Sequence, residues 1–300
     1  MRLPRLAAAT TALPLLALGL AACSSSSAPA NSAAGSAPTN PTEPHRIVSL
    51  SPTATEDLFA IGAGSQVVAV DKDSDYPSNA PKTTLDPITP NVEAILKYSP
   101  DLVVASEDSN GLAAALKKVG VSVLIEPAAN TLNDAYTQIE RLGAATGHVS
   151  SADSTVATMK SAIATDVRQA GSKHADLSYY WELDPTYYSA TSSTFIGQIM
   201  GLFGLKNIAD KVDKAADGGY PQLSSEYIVQ SSPSIVFLAD TVCCGASATS
   251  VAARPGWSGI VAVKVDDVVG LNDDVASRWG PRLPQLVEAI AAAVEKAPAK

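Results

Sequence analysis

Residues 150–170 read SSADSTVATMKSAIATDVRQA. The stretch contains no proline, no glycine and no strand-like alternation. Val156, Met159, Ile163 and Val167 fall on one stripe at helical spacing, which predicts a single long helix closed by Gly171. The pattern on both sides is different. Upstream, Ile47–Leu50, Val67–Val70, Leu102–Ala105 and Val121–Ile125 are short apolar runs of the kind found in strands buried on both faces. Helical spacing over Glu56–Ile61, Val92–Tyr98 and Leu112–Val119 separates them. Thr53 or Thr55 is expected to cap the first helix and Asn91 the second, and Gly120 to end the third. Downstream, strands are expected at Leu177–Leu183, Ile235–Ala239 and Val261–Val265. Helices are expected at Phe195–Phe203, Ser225–Gln230 and Leu283–Val294. Strand–helix alternation implies parallel sheets covered on both faces. The expected fold is therefore α/β, with two doubly wound, Rossmann-like lobes (46–148 and 172–300). One long helix (149–171) joins them, and a ligand cleft lies between them.

The N-terminus carries a separate message. Arg2 and Arg5 precede an apolar run from Leu6 to Leu20, followed by Ala21-Ala22-Cys23. This resembles a bacterial lipoprotein signal. The resemblance implies cleavage after residue 22, lipidation of Cys23, and a protein anchored to the cell membrane on its extracytoplasmic face. Residues 24–45 are rich in Ser, Ala, Pro and Thr and contain no large apolar side chain, so residues 23–45 are expected to form a lipidated stalk.

Composition narrows the function. A net charge of −9 with no Lys/Arg-rich run argues against a nucleic-acid partner. Enzyme signatures are missing. Gly245–Thr249 lacks the second glycine of a nucleophile elbow, and no glycine-rich phosphate loop is present. His45, His148 and His174 are the only histidines and are too scattered for a triad or a metal site. No enzyme activity, resident cofactor or metal is expected.

Several segments resemble the bacterial solute-binding proteins that deliver cobalamin, siderophores and haem to importers powered by ATP hydrolysis. They are Arg46–Pro52 with Thr55-Glu56, Ser74–Pro77, Pro100–Val104, Tyr220–Glu226 and Asp273–Leu283. The cobalamin binders are the most similar. The resemblance implies a large metal chelate as ligand, cobalamin first, with a ferric siderophore or haem as the alternative. It implies an ABC permease and its ATPase as partners, and a monomer in solution. Ligand-binding positions carried over are Tyr76, Tyr187, Tyr188, Tyr220, Asp274 and Arg278, with Trp279 beside them. Aromatic faces and a few polar groups suit a large, partly flat ligand. Glu226, and Glu107 or Asp108, correspond to acids that dock onto the permease. A structural or signalling lipoprotein of the cell envelope is the reading from another class.

Cys243 and Cys244 are adjacent and sit just after a strand, where α/β sheets place ligands. A vicinal disulfide, two thiols and a thiolate metal site are the readings open to them. An oxidising compartment favours the bridge.

Overall fold

A computed structural model describes residues 43–171 and 176–297. The leader (1–22), Cys23 and the stalk up to residue 42 lie outside the described residues.

Two four-stranded, fully parallel sheets organise the chain. The first runs β2-β1-β3-β4, with β1 Ile47–Leu50, β2 Val67–Val70, β3 Leu102–Ala105 and β4 Ser122–Ile125. The second runs β6-β5-β7-β8, with β5 Ser178–Glu182, β6 Lys206–Asn207, β7 Ile235–Leu238 and β8 Val268–Gly270. Every residue of the central strands β1, β3 and β7 is buried, which is why these segments are continuous apolar runs without alternation. In β5, alternation separates two cores. Tyr179 and Trp181 join the larger one, and Tyr180 packs with Trp257 in the smaller.

Helices α1 (Pro52–Ala60), α2 (Val92–Leu96), α3 (Leu112–Lys117) and α4 (Leu132–Thr146) belong to the first lobe. Helix α5 (Val149–Ala170) leads from one sheet to the other. Helices α6 (Phe195–Gly201), α7 (Ser225–Ser231), α8 (Thr241–Cys244), α9 (Ala248–Ala252), α10 (Val261–Lys264), α11 (Asp273–Ser277) and α12 (Leu283–Lys296) follow. Helix α5 packs against both α4 and α12. Its buried stripe of Val156, Met159 and Ile163 belongs to one apolar core that continues from Leu58 and Ile139 to Phe237 and Val287. The two lobes therefore share a core, and α5 is packed along its length.

Three local differences from the sequence reading have physical causes. Helix α1 starts at Pro52, four residues early. Proline is at home in a first turn because its missing N–H costs nothing there, and the Ser51 hydroxyl accepts the Ala54 N–H at 3.3 Å. Thr53 and Thr55 thus sit inside the helix, and the Thr55 hydroxyl bonds Ser49 and Ser74 at 2.9 Å each. Val261–Val265 is not a strand. The Val265 N–H donates to the Val261 carbonyl and closes the single turn α10, and the strand is β8 three residues on. A five-residue alternating run fits either element. The sequence reading assigns nothing to 126–148, where α4 lies. Its capping box of Thr131 and Asp134 and its buried Ala135, Ile139 and Leu142 are the signals that mark it.

Met159 is 2% exposed in the middle of α5. Met159→Ala is expected to lower unfolding stability by about 2–5 kcal/mol. Urea unfolding followed by circular dichroism checks this, and an unchanged midpoint would contradict a core continuous through α5.

Candidate functional site

Parallel strands bring the loops that follow them to one edge of each sheet. Three exposed tyrosines lie on such loops. Tyr76 follows β2, Tyr188 follows β5, and Tyr220 belongs to a segment that pairs with the chain after β5 through a Tyr188–Gln222 bridge. They are 46%, 41% and 47% exposed, although tyrosine has ample apolar surface to bury. Tyr76 lines a hollow of about 360 Å³ with Glu56, Phe59 and Arg282. Tyr187 lines another of about 700 Å³ with Glu226, Val229 and Pro255. The expected binding residues therefore do not line one shared hollow in this conformation.

Arg278 is the centre of an ion network that ties the lobes together. Its Nη1 donates to Glu56 Oε1 of α1 and to Asp75 Oδ1 after β2, both at 2.8 Å. Its Nη2 donates to Asp274 Oδ1 at 2.6 Å and to the Asp73 carbonyl at 3.2 Å. Arg282 closes on the same glutamate, Nε to Oε2 at 2.7 Å and Nη2 to Oε1 at 2.5 Å. The Arg282 guanidinium also covers the Tyr76 ring, 4.4 Å from its centroid. The Glu56 side chain has no solvent exposure and that of Arg278 has 11%. Burial acts to raise Asp75, but the hydrogen bond and charge of Arg278 hold its carboxyl below the ordinary value. Burial pushes Asp274 above its ordinary value against the pull of Arg278. Trp279 crosses the same junction, its indole N–H donating to Gln138 Oε1 of α4 at 2.8 Å. Arg278, Trp279 and Tyr76 thus have partners within the protein, whereas Tyr188 and Tyr220 are exposed without a charged group over the ring.

In the second lobe, Glu182 ends β5 fully buried and takes both Arg254 amino groups, at 2.5 and 2.6 Å. This is a bidentate, charge-assisted pair. Arg254 lies over the Trp257 and Tyr187 rings, and Tyr187 stacks on Trp257 at 5.7 Å. The Tyr187 ring is thereby half-buried, leaving Tyr188 as the more available of the two. Asp240, also buried, has no hydrogen-bond partner on either carboxylate oxygen. Burial and the charge of Glu182 push it up to about 6. Cys243 and Cys244 are joined by a disulfide in the exposed α8 turn, with Cα atoms 3.8 Å apart. Glu226 is exposed in the first turn of α7, and Glu107 is exposed just after β3. Among the described residues, no group of three or more His, Cys, Asp or Glu is arranged to hold a metal ion.

This arrangement of two parallel sheets and a joining helix agrees with comparisons to known proteins. The model of the periplasmic binding protein family matches residues 47–275. The chain belongs to that family. It is 34% identical over 262 residues to the ABC transporter substrate-binding lipoprotein YvrC of Bacillus subtilis, covering 84% of this chain and 80% of the relative. It is 31% identical over 262 residues to a cobalamin-binding protein of Halobacterium salinarum, covering 84% of this chain and 69% of the relative. Among solved structures, a possible iron-binding, periplasmic solute-binding protein of Staphylococcus epidermidis matches with a TM-score of 0.72 and 26% identity, covering 84% of this chain and 99% of that one. The chain is thus a solute-binding protein of the class that serves ABC importers.

Sequence reasoning missed Glu56 and Arg282 as parts of the site of this periplasmic binding protein. Thr55-Glu56 stands out only as part of a motif, and an arginine before a terminal helix looks like a solvated charge. The usable signal was that Glu56-Asp57 interrupts the buried face of an otherwise apolar helix.

A second acidic cluster lies behind Trp279. Asp57 is fully buried, and burial, with Glu56 and Glu126 adding their charges, raises it well above its ordinary value. Glu126 is pushed up from 4.5 to about 7 by burial, although Arg141 Nε lies 3.4 Å away. The folded state holds the Glu126 proton more tightly than the unfolded state does. Its ionisation therefore costs nothing below about pH 4.5 and subtracts stability as pH rises to about 7. Glu126→Gln is expected to be more stable than wild type at pH 7.5, by on the order of 1–3 kcal/mol, with the gain shrinking towards pH 5. Thermal midpoints across that range check this; parallel pH curves for the two proteins would contradict it.

Proposed function

We propose that this protein captures a corrinoid, cobalamin, between its two lobes and hands it to an ABC permease driven by its ATPase. Exposed tyrosines on loops beyond the strands carry the reading, Tyr188 and Tyr220 in the second lobe and Tyr76 in the first. Aromatic faces left open to water on a well-packed frame suit a broad ligand with apolar flanks. The 31% identity to a cobalamin-binding protein points to the same ligand class. Asp274 and Arg278 belong to the network that also holds Arg282 over Tyr76, and in this reading a ligand with amide groups on its rim exchanges with Asp75 or the Asp73 carbonyl for the outer face of the guanidinium.

The remaining roles follow from this reading. Cys23 anchors the chain in the membrane through its lipid, and the tether is shorter than residues 24–45, because Glu43 lies against Gly147 and the His45 N–H donates to Asp101 at 2.8 Å. The chain acts as a monomer. Glu226 and Glu107, one exposed acid on each lobe, meet basic residues of the permease. A ferric chelate is the second reading, favoured by the likeness to the possible iron-binding protein of Staphylococcus epidermidis.

Calorimetric titration decides between them. Cyanocobalamin is expected to bind at one saturable site, more tightly than haemin or a ferric hydroxamate. Tyr220→Ala is expected to weaken binding at least about ten-fold, the loss of roughly 1.4 kcal/mol of contact. Binding of haemin or the hydroxamate without cyanocobalamin would replace the corrinoid by a ferric ligand. Unchanged affinity in Tyr220→Ala would place the ligand elsewhere.

A further inference from the structure

Exposed large apolar side chains are spread over the described residues, Ile88, Val149 and Leu202 among them. Tyr76, Tyr188, Tyr220 and Val242 all belong to segments at the carboxyl edges of the sheets, and Val242, 71% exposed, is the most open of the four. Val242 occupies the α8 turn directly after β7, followed by the exposed Cys243–Cys244 disulfide. The tyrosines have a role in the reading above. Val242 and the disulfide have none.

The turn is firmly held. Asp273 accepts the N–H groups of Val242 at 2.9 Å and Cys243 at 2.7 Å. The Thr241 hydroxyl donates to the Leu271 carbonyl at 2.5 Å. The N–H groups of Cys244 and Ala246 both donate to the Asp240 carbonyl at 3.3 Å, with Gly245 in the left-handed region turning the chain between them. Every backbone N–H from Val242 to Cys244 except the last thus bonds one carboxylate, and that carboxylate is next in sequence to Asp274 of the ion network. On its other side, Ala246 packs against the cluster that also receives Tyr187. The turn is therefore bonded to the neighbour of Asp274 at one end and runs at the other into Ala246, which packs on the cluster that Tyr187 also joins. A covalent link between neighbouring side chains adds to this rigidity. It also removes the thiol protons, leaving two polarizable sulfurs with little hydrogen-bonding demand, a surface that suits aromatic and other π faces.

We propose that the Val242–Cys243–Cys244 turn is a wall of the binding cleft, with the disulfide and the valine presenting a rigid apolar edge to the flat face of a bound macrocyclic chelate. The inference rests on the solute-binding reading above and adds a contact surface to it. A ligand wall needs both the apolar surface and its fixed position.

The experiment compares affinities for cyanocobalamin, haemin and a ferric hydroxamate by calorimetry on the full chain. The variants are Val242→Asp, the double Cys243→Ser/Cys244→Ser, and the control Val119→Asp. Val119 is exposed on the opposite edge, between α3 and β4. Val242→Asp changes a side chain already in water, so its fold is expected to persist, and a retained thermal midpoint verifies this for each variant. For whichever ligand wild type binds, Val242→Asp and the double serine variant are each expected to lose at least ten-fold in affinity while Val119→Asp keeps it. Wild-type affinity in either cleft-edge variant overturns the inference and leaves the solute-binding reading standing. A wild-type chain that binds none of the three ligands overturns both.

Discussion

A buried carboxylate must be neutralised by charge and hydrogen bonds, because removing it from water alone costs far more than a protein's net stability. Glu56 imposes that requirement here. It sits in the second turn of a first-lobe helix, and the guanidinium groups that satisfy it come from Arg278 and Arg282, 222 and 226 residues away in sequence. One side chain thus fixes how the last loop and terminal helix of the chain meet the first lobe. Tyr76 is held under Arg282, Asp75 and Asp274 are brought to one arginine, and Trp279 is inserted towards Gln138. The lobes meet where the ion network lies.

This anchoring bears on how the molecule moves. A solute-binding protein must hold its lobes in register and still admit a ligand. Here the shared apolar core through α4, α5 and α12 forms a stiff spine, and the ion network is a second point of attachment near the cleft. With two attachments, opening is expected to be a small adjustment about the spine, not a wide hinge. Arg278 faces inward to Glu56 and outward to Asp75 and the Asp73 carbonyl. It can keep its buried partner while exchanging an outer one.

Much of the frame was legible in the sequence because fully buried parallel strands have an unmistakable composition. Ile47–Leu50, Leu102–Ala105 and Ile235–Leu238 have almost no polar side chains to confuse the reading, and the stripe on α5 is regular from Ala152 to Ile163. Val261–Val265 was not legible, since five alternating residues fit a single helical turn as well as a strand. Helix α4 was legible in principle, from its capping box and from Ala135, Ile139 and Leu142 at helical spacing. In the candidate site, Tyr76, Tyr188 and Tyr220 could be proposed from local motifs, and each is exposed at the surface, Tyr76 with Arg282 over its ring. Glu56 and Arg282 could not, because a charge reads as solvated until its partner is known, and these partners come from opposite ends of the domain. Trp279 shows the same limit. It reads as a cleft aromatic, but its indole N–H is committed to Gln138.

The central claim is that Glu56 couples the two lobes through the arginines of the last loop. A double-mutant cycle between Glu56→Gln and Arg282→Gln, read by urea unfolding, tests it directly. A buried, shared ion pair predicts that the two single losses fail to add, with an interaction energy above about 1.5 kcal/mol. Losses that add to within about 0.5 kcal/mol would show that the pair does not hold the lobes together.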